Sequence, residues 1–123
     1  MKILGIDYGR KKIGVAIAEG SLASPLKVLK SPFGEEIAEI IRAENIEKVV
    51  VGISEGEMAN EAREFGEELL RKSGVPVEYE DETLSTHEAQ RLSQEAHIKR
   101  SKRKAMEDAY SATLILQKYL DRS

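Results

Sequence analysis

ILGIDYGRKKIGVAIAE, residues Ile3 to Glu19, decides the fold. Two apolar runs flank a short polar turn. In the second run Ile13, Val15 and Ile17 alternate with Gly14, Ala16 and Ala18. That period of two marks a strand with one bulky face and one small face. The turn, YGRK, contains Gly9, which is free to take a positive φ. The spacing therefore predicts an antiparallel hairpin, with one strand from Lys2 to Asp7 and the next from Lys12 to Ala18. Asp7 is the odd residue in it. A strand needs no acid at its end, whereas a metal or phosphate site does, and a glycine and three cations follow directly.

Outward from the hairpin, PLKVLK predicts a third strand, after the small-residue loop EGSLAS. Phe33-Gly34 leads into a helix from Glu35 to Glu44 with Ile37, Ile40 and Ile41 on one stripe. EKVVVGI has an unbroken apolar centre, Val49 to Val51, as expected of a strand buried on both faces of a parallel sheet. Met58 to Ser73 reads as an amphipathic helix that packs through Ala62, Phe65, Leu69 and Leu70, with Gly74 placed to terminate it. VPVEYED predicts another strand. Ser85 with Glu88 forms a capping-box pattern, so a helix is expected from there to about Glu95. A last helix runs from about Lys104 to Asp121, with Ala105, Ala109, Ala112, Leu116, Tyr119 and Leu120 on one face. The order implies an α/β fold in a single domain spanning residues 1–123. Its mixed five-stranded sheet is antiparallel over the first three strands and parallel thereafter, with helices covering it.

The 123 residues include no cysteine, which excludes disulfides and thiolate metal sites. No segment approaches the roughly 20 apolar residues of a membrane span, and the first residues read as a strand and are not expected to form a secretory leader. A cytoplasmic protein without membrane association is expected. The net charge of −3 argues against a globally basic nucleic-acid binder. The distribution says more: acids dominate from Glu35 to Glu68, while KRSKRK concentrates Lys99, Arg100, Lys102, Arg103 and Lys104. Such a run is either a solvated loop or a phosphate-contacting patch.

Four acids stand beside apolar sequence. Asp7 ends the first strand, Asp81 and Glu82 end the last, and Asp108 borders the buried face of the final helix. Each has an ordinary reading: a turn cap for Asp7, a strand end for Asp81, a surface position for Glu82 and a favourable helix N-terminus for Asp108. Together they suggest more. Converging carboxylates repel unless a hard divalent cation holds them ionised, and oxygen donors select Mg²⁺ or Mn²⁺. His87 and His97 are too few for a zinc site. Ser85 and Thr86 are explained by capping, and SEGEMANE lacks P-loop spacing.

LGIDYGRKKIGVAIAE, VVVGI, VEYEDETLSTHEA and EDAYSATLILQKYLD, in this order, resemble the YqgF (RuvX) family of Holliday junction resolvases with a ribonuclease H-like fold. The resemblance runs nearly end to end. It implies a metal-dependent nuclease acting in the 5′-end maturation of pre-16S ribosomal RNA or in the resolution of branched DNA. By motif it makes Asp7, Glu82 and Asp108 the catalytic, metal-binding acids, with Glu82 preferred to Asp81. The sequence departs from the family in ISEGEMANEA, where a Pro-Leu-Asn-like loop is usual, and in Thr83, where arginine is usual.

The expected activity is thus endonucleolytic hydrolysis of phosphodiesters in structured RNA or branched DNA. Asp7, Glu82 and Asp108 would bind Mg²⁺ or Mn²⁺. Arg10, Lys11 and the Lys99 to Lys104 run would hold the backbone in a salt-dependent way. A monomer or weak homodimer is expected. With 5% aromatic residues, shape and phosphate recognition is favoured over base stacking. Two other classes compete. GIDYG also resembles the first phosphate loop of actin-like ATPases, which need two such domains. A catalytically silent nucleic-acid-binding module is the other.

Overall fold

The structure, a computed structural model, describes residues 1–54, 56–81 and 106–122. Five strands form one sheet: β1 (Lys2–Asp7), β2 (Lys12–Glu19), β3 (Ala23–Lys30), β4 (Lys48–Ile53) and β5 (Val77–Asp81). Three described helices accompany them: α1 (Gly34–Ala43), α2 (Glu57–Ser73) and α3 (Glu107–Arg122). The sheet order is β3-β2-β1-β4-β5. β1, β2 and β3 pair antiparallel, and β1-β4 and β4-β5 pair parallel. The expected mixed sheet is the one observed. The helix expected from Ser85 lies outside the described residues.

The two faces of the hairpin become the two layers of the molecule. Leu4, Ile6, Ile13 and Val15 face α1 and α2, where Ile37, Ile41, Ala62 and Leu69 bury them. On the other face Ile3, Ala16, Ala18 and Val50 pack against Ala112, Ile115, Leu116 and Tyr119 of α3. The small residues on this side matter most. A Cβ on Gly5 would stand 2.8 Å from the Leu116 Cβ, so α3 lies closer to the sheet than any side chain at that position permits. Helix α2 ends as its sequence implies: Gly74 takes φ 73°, and its N–H donates to the Leu70 carbonyl at 2.8 Å.

Two expectations need correction. Leu70, expected on the packing stripe of α2, is 43% exposed, because Leu69 fills that contact and the next residue turns about 100° away. Helix α3 is buried on more than one stripe. Tyr110, Ser111 and Thr113 are buried alongside Ala109 and Ala112, and the Thr113 hydroxyl donates to the Ala109 carbonyl at 2.7 Å.

Candidate active site

Asp7 closes β1 between two glycines, with Gly14 of β2 on one side and Gly52 of β4 on the other. Neither neighbour carries a side chain, and on the Gly14 side that room is taken by the backbone at the start of α3. Strand alternation puts Asp7 on the face of Ile3 and Gly5, toward α3, and sends Tyr8 to the opposite face, against Phe33 and Phe65.

Asp108 is the second residue of α3. Its backbone rests on Gly14: a Cβ there would lie 1.8 Å from the Asp108 carbonyl oxygen and 2.7 Å from the Ala109 nitrogen. Since Gly14 is the cross-strand partner of Asp7, the helix start and the strand end meet on one face. Residues 101 positions apart in the chain thus become neighbours through a single missing side chain. The Asp108 side chain is 30% exposed, and its Oδ2 receives the Lys12 ammonium at 3.0 Å. A cation is therefore already seated on this carboxylate.

Of the two remaining acids, Asp81 ends β5. Asp81 is in register with Ile53 and follows Val77 and Tyr79 on the α2 face, opposite to Asp7. The alternate residues point toward α3. Glu78 accepts from the Tyr119 hydroxyl at 2.5 Å and pairs with Lys48 at 2.9 Å, while the buried Glu80 pairs with Arg122. These partners hold the Glu78 carboxyl below the usual carboxylate range, the Tyr119 hydrogen bond first and the Lys48 hydrogen bond next. Glu82 lies outside the described residues, as do His87, His97 and the cations Lys99, Arg100, Lys102, Arg103 and Lys104. Among the described residues no three His, Asp or Glu side chains form a metal-binding group.

The cations of the hairpin divide by face. Arg10 forks onto Glu61 of α2, its Nε donating to both carboxylate oxygens at 2.9 and 3.0 Å. That clasp, hydrogen bonding first, pulls the Glu61 carboxyl below its ordinary value. Arg10, an expected backbone contact, is thus paired within the chain. Lys11 is exposed. Arg10, Lys11, Lys12, Lys30 and Ser31 together line a shallow basic depression of about 500 Å³. Lys12 and Lys30 were not singled out in the sequence. They are direct cross-strand partners in the β2-β3 register, a juxtaposition of like charges that only strand pairing reveals.

A family profile described as "RuvX: Holliday junction resolvase" matches residues 1–122. The chain belongs to the RuvX family. A RuvX relative from Streptococcus sanguinis (strain SK36), named "Putative pre-16S rRNA nuclease", is 37% identical over 100% of this chain and 99% of its own. One of the same name from Limosilactobacillus fermentum is 37% identical over 98% and 94%. The first alignment runs over 138 positions, so that relative carries insertions the 123-residue RuvX chain lacks. Among solved structures, Thermus thermophilus RuvC in complex with Holliday junction substrate superposes with a TM-score of 0.66 at 20% identity, covering 100% of this chain and 96% of that one. The fowlpox virus resolvase in complex with Holliday junction DNA gives 0.68 at 16%, covering 99% and 98%. At such low identity these likenesses speak to the fold, which is ribonuclease H-like.

Proposed function

We propose that residues 1–123 act as a single metal-dependent endonuclease domain that hydrolyses phosphodiesters in structured nucleic acid, with 5′-end processing of pre-16S ribosomal RNA as the reaction. One observation carries this reading. The backbone of Asp108 rests on Gly14, the strand partner of Asp7, in a chain whose full-length relatives bear a nuclease name.

The donor set fits Mg²⁺ or Mn²⁺. Asp7 and Asp108 offer hard oxygens on one face, and the pairing of Asp108 with the Lys12 ammonium supports its reading as a cation-binding carboxylate. Asp81 is on the other face, which supports Glu82 as the third ligand. When bound, the ion lowers the pKa of a water and neutralises charge on the leaving oxygen. The protein's part is to hold Asp7 on a central strand and Asp108 on a helix pinned to that strand. Lys11, Lys12 and Lys30 draw in the phosphate backbone, and the Lys99 to Lys104 run extends that contact. Absence of cysteine suits a reducing cytoplasm.

Junction resolution is the second reading, favoured by the superposition on resolvases. Symmetric cleavage of a junction needs two active sites, hence a dimer, whereas RNA processing is served by a monomer. The test is to incubate structured RNA and branched DNA with the protein and Mn²⁺ or EDTA, beside Asp7→Asn. Cleavage of RNA that vanishes with EDTA and with the substitution is expected. Cleavage that ignores both overturns the assignment of Asp7 and the metal, and no cleavage of either substrate overturns the nuclease reading in favour of a silent binding module.

A further inference from the structure

We propose that an unpaired RNA base flanking the scissile bond is seated in an apolar cleft between the β3-α1 loop and helix α2. The inference rests on the nuclease reading and deepens it by naming what the site recognises beside the phosphate. The cleft has a volume of about 230 Å³ and is walled by Pro32, Phe33, Phe65 and Leu69. Glu68 and Lys72, paired at 3.1 Å, stand on its rim. Ser31 lines both this cleft and the basic depression of Arg10, Lys11, Lys12 and Lys30, so the two hollows adjoin.

The chain has only two phenylalanines, and both are here. Their rings meet edge to face with centroids 5.7 Å apart, and Tyr8 braces both, at 6.3 Å from Phe33 and 5.1 Å from Phe65. Composition alone argued against stacking. The fold instead gathers three of the six aromatic rings into one place, next to the cations. Asp7 and Tyr8 are consecutive and face opposite sides of the sheet, so the acids and the aromatic wall flank the same strand end. The cationic turn passes between them, with Lys12 on Asp108 and Arg10 on Glu61. A backbone crossing that turn has its phosphates among cations and a flat apolar hollow to one side.

That combination suits a nucleotide: an anionic chain carrying a heterocycle that stacks on aromatic surface. Glu68 adds an acceptor for an N–H on the edge of the base. A base held in a duplex stack cannot enter, so the cleft selects for unpaired segments next to the cut.

The test uses EDTA to suppress cleavage. A short single-stranded RNA carrying 2-aminopurine and a blunt RNA duplex of the same length are titrated with the wild-type protein, Phe33→Leu, Gly34→Leu and Lys30→Ala. Gly34 lines the cleft and a Cβ there would meet open space, so a leucine is expected to narrow it. Fluorescence of the single strand is expected to be quenched on binding. Phe33→Leu and Gly34→Leu are expected to weaken single-strand binding about tenfold, the usual loss for one stacking contact, and to leave duplex binding unchanged. Lys30→Ala weakens both. Urea transitions of the two leucine variants establish that they fold. Equal losses on both RNAs, or no loss on either, overturn the proposal while leaving the nuclease reading intact. Failure of the wild-type protein to bind either RNA overturns both.

Discussion

Gly14→Ala is the most informative single change. The added methyl would sit 1.8 Å from the Asp108 carbonyl oxygen and 2.1 Å from its carbon, where ordinary contact begins at 3.4 Å. These are backbone atoms, so no rotamer change relieves the clash. The start of α3 must retreat from β2 by more than an ångström. Overpacking of this kind costs about 1–3 kcal/mol, offset by the roughly 0.4–1 kcal/mol that alanine contributes through the unfolded state. A net loss of about 1–2 kcal/mol in urea unfolding is expected. The effect on cleavage is larger, because a misplacement of about 1 Å can cost 10²-fold in rate. Gly5→Ala is the control. It drives the same helix from the same sheet, through a 2.8 Å approach to the Leu116 Cβ, but roughly 12 Å further along the helix axis. Gly5→Ala should lose stability comparably and keep most of its cleavage rate. The assays are urea denaturation, single-turnover cleavage of structured RNA, and Mn²⁺ titration by calorimetry. A folded Gly14→Ala protein that cleaves at the wild-type rate would refute the claim that the Asp108 position depends on this contact.

Glu61→Gln should free Arg10 from α2 and steepen the slope of log affinity for RNA against log salt by about one phosphate contact; an unchanged slope means that Arg10 stays out of the interface. Lys12→Met removes an ion pair whose lysine is 55% exposed, so stability should change by less than about 1 kcal/mol. Mn²⁺ should bind it more tightly, because the ammonium no longer competes for Asp108, and weaker binding by calorimetry would assign Lys12 to orienting that acid. Tyr119→Phe deletes the donor to Glu78 at a cost of about 0.5–1.5 kcal/mol near neutral pH. Because the folded-state value of Glu78 is depressed, this stabilisation is present above the ordinary carboxylate pKa and is lost as pH falls through the lowered one. Urea midpoints of the two proteins should therefore converge as pH falls below the ordinary carboxylate range. A constant gap would show that the hydroxyl acts through packing.

Local pattern made much of the molecule legible. Alternation in Lys12 to Ala18 separated a bulky face from a small one, and the unbroken Val49 to Val51 run marked a strand covered on both sides. The glycine after Ser73 marked the end of α2. These signals are legible because strand pleat and helix period repeat within a few residues. Leu70 misled because a helical stripe is wide enough to admit two neighbours, and only the opposing layer decides which is buried. The Arg10–Glu61 clasp was not legible because Glu61 is 51 residues away and belongs to a helix whose docking angle no local pattern specifies.

By itself the sequence determined the described strands and helices, their order and the mixed sheet, since each follows from short-range periodicity or turn chemistry. Only the tertiary structure decided that Asp108 stands against the partner of Asp7, that Asp81 faces away, and that Lys12 and Lys30 share one cationic hollow beside the two phenylalanines. Those relations depend on strand register and on the absence of a side chain at Gly14, where helix and sheet touch. Contacts between distant segments are set by packing in three dimensions, which one chain position cannot express.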